Sequence, residues 1–218
     1  MKTMMKIITY PAFALFAFAC FALAPQARAV CQDACLTNSN TVQGDDALIS
    51  LTTGSHNTAI GQGALQNNTT GELNTATGQG ALNTNTIGSG NTASGVQALW
   101  SNTTGNSNTA TGRNALVSNT TGNGNTANGR AALQINTTGD FNTATGQFAL
   151  FSNSTGSENL AYGSGALFSN TTGNSNAAYG GDGLFGNTRQ LQRRSWFRSR
   201  LRPHHGRQQH QYRRLCFR

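Results

Sequence analysis

Few residues in this chain have the chemistry for catalysis or metal binding, and they lie far apart. Cys31 and Cys35 stand four apart, a pair that an exported chain could join as a disulfide. Two thiols without a nearby histidine do not fill the tetrahedral shell of zinc. His56 is the only histidine between residues 40 and 188, and a lone imidazole in a variable place reads as a surface residue. Asp45, Asp46, Glu72, Asp140, Glu158 and Asp182 are scattered, so no carboxylate pair can be argued for general acid and base work. Gly61-Gln62-Gly63 lacks the third glycine and the helix of a dinucleotide fingerprint, and the aspartate-bearing calcium repeat of other solenoids is missing. No catalytic residue, metal or cofactor is therefore expected, and the chain is read as a non-enzyme.

What remains is the chemistry of amides and hydroxyls, and it is periodic. Asn recurs at 40, 57, 74, 91, 108, 125, 142, 159 and 176, always 17 residues apart. The unit reads N-T-A-x-G-x-x-A-L-x-x-N-T-T-G-x-x. Its first Asn, the Gly at the fifth place and the Leu at the ninth never vary across nine copies. A helical unit would need several large apolar residues at 3.6 spacing, whereas this one has one Leu, and Gly and Asn are poor helix formers. Two glycine-marked corners in 17 residues fit one coil of a parallel β-solenoid, with two short strands and two turns. Stacked coils would set Asn on Asn and Thr on Thr. At a spacing of about 4.8 Å, nine coils would rise roughly 43 Å. The fold class expected is all-β, a β-roll of nine coils over residues 40–188.

The invariant leucines Leu48, Leu65, Leu82, Leu99, Leu116, Leu133, Leu150, Leu167 and Leu184 are expected to form the inner stack. One leucine per coil is a thin core against the entropy of ordering 17 residues. A chain that never folds has no reason to hold Leu in one phase nine times, so copies are expected to share a core. The next column ends in Trp100, Val117, Phe151, Phe168 and Phe185, with Gln134 interposed. On a strand these would face outward, as a subunit interface or a ligand-contact strip.

The ends differ from the body. Residues 1–29 have a signal peptide's parts: Lys2 and Lys6, an apolar run from Ile7 to Ala24, and Ala27-Arg28-Ala29 before a cleavage point. A helical signal peptide is expected to be removed, leaving residues 30–39 as a cysteine-bearing start and placing the protein outside the cell or on its surface. The formal charge of +8 comes from the ends, since ten arginines lie between Arg189 and Arg218. Residues 30–188 hold two arginines against seven carboxylates, a net charge of −5, so nucleic acid is not an expected partner.

Runs such as NTAIGQGAL, NTATGQGAL and NTASGVQAL resemble the head repeats of trimeric autotransporter adhesins, the YadA-like head family. The resemblance spans residues 40–188 and implies parallel β-rolls, three chains side by side, on a bacterial surface where they bind host matrix or other cells. Similar repeats occur in phage tail-fibre-like proteins. The family's unit is somewhat shorter than 17, and residues 189–218 resemble neither a heptad stalk nor membrane-anchoring strands. That segment is read as an irregular, frameshifted tail. Trp196-Phe197 forces a glycine codon in the neighbouring frame, and permitted codons there restore N-V-A-V-G and L-T-T-G at the repeat's phase.

The functional reading is an exported adhesin-like head or fibre segment, a homotrimer that binds matrix, glycan or a cell surface. The alternatives are a structural shaft module of a tail-fibre-like assembly, and an ice-binding solenoid through the threonines at the second, thirteenth and fourteenth places.

Overall fold

The structure is a computed structural model that describes residues 38–183. Nine three-residue strands run in chain order, one per coil: β1 (Thr41–Gln43), β2 (Thr58–Ile60), β3 (Thr75–Thr77), β4 (Thr92–Ser94), β5 (Thr109–Thr111), β6 (Thr126–Asn128), β7 (Thr143–Thr145), β8 (Leu160–Tyr162) and β9 (Ala177–Tyr179). They form a single parallel sheet in the order β1 to β9. Each residue pairs with the one 17 places on, as Thr92 with Thr109 and Ala93 with Ala110. The chain is therefore a β-solenoid of about eight turns, and the described residues contain no helix.

The coil has one strand where two were expected. The invariant leucine is the reason. Leu116 has φ 52° and its counterparts from Leu48 to Leu167 have φ of 50–54°. This is the left-handed region that side chains with a Cβ avoid, and it breaks the extended path. After β5, two tight turns follow directly: Ala115 N–H donates to Gly112 O at 3.2 Å, and Asn119 N–H to Leu116 O at 3.1 Å. The backbone there still bonds to the next coil, with Leu116 N–H donating to Ala132 O at 3.0 Å and Ser118 N–H to Gln134 O at 3.1 Å. The second wall is hydrogen-bonded coil to coil without being a strand.

Inside the coil the core is broader than one leucine. Leu48 to Leu167 are buried, and so are the alanines at the third place (Ala59 to Ala178) and the eighth (Ala47 to Ala166). Alanine fits because the opposite walls are close, and a larger side chain would push them apart. Glycine is required at two corners. Gly112 has φ 126°, and a Cβ there would lie 2.7 Å from Gly129 O. At Gly122 φ is ordinary, but a Cβ would overlap Gly139 O and the Asn119 amide. Leu184 and Phe185, the signal segment, Cys31 and Cys35, and the tail 189–218 lie outside the described residues.

Candidate functional site

Two columns of asparagine run through the interior, and their amides are bonded on both sides. At the first place, Asn108 Oδ1 accepts from Asn125 N–H at 2.9 Å, while Asn108 Nδ2 donates to Gly122 O at 2.8 Å. At the twelfth place, Asn119 Nδ2 donates to Asn102 Oδ1 at 2.8 Å and to Gly122 O at 3.0 Å, and Asn119 Oδ1 accepts from Asn136 Nδ2 at 2.9 Å. Asn108 and Asn119 are fully buried. A buried amide left unbonded is costly, so these ladders fix the 17-residue register, and their amides are closed to solvent.

Two further ladders lie nearer the surface. At the thirteenth place, Thr120 Oγ1 donates to Thr137 O at 3.0 Å, and the same bond recurs from Thr52 to Thr137. These hydroxyls donate from coil to coil, while the threonines at the fourteenth place, such as Thr70 and Thr121, are exposed. At the sixteenth place the residue type varies, but from Ser89 to Asn174 its role does not. Ser89 N–H donates to Asn106 Oδ1 at 2.8 Å, Asn106 N–H to Asn123 Oδ1 at 2.8 Å and Asn123 N–H to Asp140 Oδ1 at 2.6 Å. Sequence reasoning missed this column, because only the capacity to accept a bond is shared.

One set of exposed, unbonded groups lies on the sheet. Along β3 to β6 each strand is exposed, buried, exposed. The hydroxyls of Thr75, Thr77, Thr92, Ser94, Thr109 and Thr111 point outward and make no hydrogen bond within the described residues. They form two rows, about 4.8 Å between coils and about 6.6 Å across each strand. No charged residue stands in these rows from Thr58 to Thr145. Toward the C-terminal end the rows change character, where Tyr162 and Tyr179 stack at 5.5 Å.

The aromatic column after the leucines lies on another flank. Trp100, Val117, Phe151 and Phe168 are half-buried there. Phe151 and Phe168 stack at 5.0 Å with planes 2° apart, and Phe148 meets Phe151 edge-on at 5.7 Å. Arg130 lies over the Phe148 ring at 5.5 Å. Sequence reasoning placed these rings on one stripe but missed Phe148, because the turn carrying the seventh place brings it beside the tenth. His56 is exposed, and its imidazole bonds only to Ser55 Oγ, at 3.1 Å. Among the described residues no three of His, Cys, Asp and Glu come together.

Fold and faces together define a class: a polar-laddered β-solenoid rod with a hydroxyl-rich, uncharged sheet face. Comparison with family models, curated proteins and solved structures found no match.

Proposed function

We propose that the chain is an exported, non-enzymatic, adhesin-like head or fibre segment that holds to a cell, matrix or glycan surface. The observation that supports this reading most is the sheet face, with two rows of unbonded hydroxyls repeated at the coil spacing. A single hydroxyl contact contributes little net free energy, about 0.5–1.5 kcal/mol. A periodic row turns many such contacts into one multivalent attachment. The resemblance of the NTATGQGAL-type runs to YadA-like heads points the same way and adds a homotrimer.

The test is retention of the purified, labelled full-length chain on cells and on matrix-coated surfaces. Retention is expected to persist at raised salt, because the face is uncharged. It is expected to fall sharply in the double variant Thr92→Lys and Thr109→Lys. No retention on any surface, or retention indifferent to the lysines, would overturn the reading.

The same rows favour a second reading, an ice-binding face. Paired hydroxyls at fixed spacing on the sheet could order a water layer, with the fourth place of the coil joining the expected second in that role. Thermal hysteresis of the purified chain separates the two.

A further inference from the structure

We propose that the furrow beside Trp100 is a carbohydrate subsite that takes one pyranose ring. The furrow runs between the seventh and tenth places of successive coils, away from the sheet face. Its character changes along the rod. In coils seven and eight Phe148, Phe151 and Phe168 fill it. In coils two and three the seventh place is Gly63 and Gly80, and the tenth-place side chains Asn83 and Trp100 lie over them. There it opens into a depression of about 200 Å³ that Trp100 closes on the C-terminal side. The indole lies against Gly80, where a Cβ would overlap its Cζ3 and Cε3.

The polar lining is partly bonded, and the remaining groups are open to a ligand. Asn83 Nδ2 donates to Gln66 Oε1 at 2.8 Å and to Gly63 O at 3.0 Å. Gln79 Nε2 donates to Gln62 Oε1 at 3.2 Å. Gln66 Nε2, Gln62 Nε2, Gln79 Oε1 and the Asp46 carboxylate make no hydrogen bond to another described residue, and Asp46, Gln62 and Gln79 are exposed. The site thus offers two donors, two acceptors and an aromatic wall.

An anion is disfavoured, because no cation lines the depression beside Trp100 and Asp46 repels it. A divalent cation needs more oxygen ligands than one carboxylate and one amide supply. An apolar ligand would bury the amides unbonded. A sugar satisfies every group, since each hydroxyl both donates and accepts, and the positive edges of its C–H bonds suit the negative face of the indole. The volume lies below the roughly 300 Å³ at which drug-sized pockets begin, which limits the occupant to one ring. So small a contact gives affinity on the order of millimolar, which repeated copies on a surface would raise.

The full-length chain with Trp196→Phe keeps Trp100 as its only indole. It is titrated with the methyl pyranosides of glucose, galactose, mannose and N-acetylglucosamine to about 50 mM, well above the expected dissociation constant. Trp100 fluorescence and saturation transfer to the ligand protons are read, with circular dichroism as the check on folding. A saturable response to at least one pyranoside is expected. It should weaken roughly five- to tenfold in Gln62→Ala and in Gln79→Ala, and saturation transfer should vanish in Trp100→Ala while the rod stays folded. No response from the folded chain to any of the four, or transfer that survives Trp100→Ala, would overturn the assignment. The sheet-face reading is scored separately. If Thr92→Lys with Thr109→Lys abolishes surface retention and no pyranoside binds, the subsite falls and adhesion stands. If pyranosides bind and no surface retains the chain, the reverse holds.

Discussion

Two columns of the coil show how closely residue type follows hydrogen-bond role. At the sixteenth place a side chain only has to accept from a backbone N–H, so Asn106, Asn123 and Asp140 are interchangeable there. At the twelfth place the side chain must accept and also donate, to Asn102 Oδ1 and Gly122 O in the case of Asn119. No aspartate occurs in that column. Asn119→Asp keeps the shape but sets a buried carboxylate against two acceptor oxygens. Burial and that opposition raise its folded pKa above the unfolded value of about 3.9. The native state then binds more protons, so stability falls as pH rises through that window. A loss of about 3–5 kcal/mol near neutral pH is expected, partly regained toward about pH 4. Urea melts of variant and parent at both pH values check it, and equal stability near neutral pH would contradict the ladder.

The coil is the unit in which these roles close, and it bonds only to its neighbours. Stability of such an array is close to a sum over coils and their interfaces. Removing residues 108–124, one whole coil, is expected to leave a cooperative melt, because Asn91 then meets Asn125 and Leu99 meets Leu133 in the same roles. Removing only 108–115 throws every later column out of register and should abolish the cooperative β signal of the flanking coils. Circular dichroism melts compare the two deletions, and equal tolerance would argue against like-on-like stacking. Much of this element was legible in the sequence. The constant phase of Asn, Gly and Leu gave the coil length, the parallel stack and the buried leucine column. The single strand was not legible, because nothing about leucine announces a left-handed backbone; packing of Leu116 into the core holds it there. The breadth of the core was underestimated because small alanines and amides look like surface when each coil is read alone. The furrow was hidden because it joins the sixth, seventh and tenth places across four coils, a proximity that periodicity alone does not reveal.

At the scale of the whole molecule, the rod separates its jobs by face. Amide ladders and alanines hold the interior, hydroxyls populate the sheet, and aromatic rings fill one end of the furrow and wall the other. That division depends on each residue standing over the one 17 places before it. Disulfide trapping tests this most directly, in a full-length chain whose native cysteines are replaced by serine. Thr92 and Thr109 are register partners on β4 and β5, within the Cα separation of about 4.4–6.8 Å that a disulfide spans. Thr92 and Thr126 are two coils apart, at about 9.6 Å. The pair Thr92→Cys with Thr109→Cys is expected to close within one chain on mild oxidation, and Thr92→Cys with Thr126→Cys to stay reduced. Equal trapping of both pairs, or closure of the second alone, would contradict the stacked 17-residue coil and every face assigned from it.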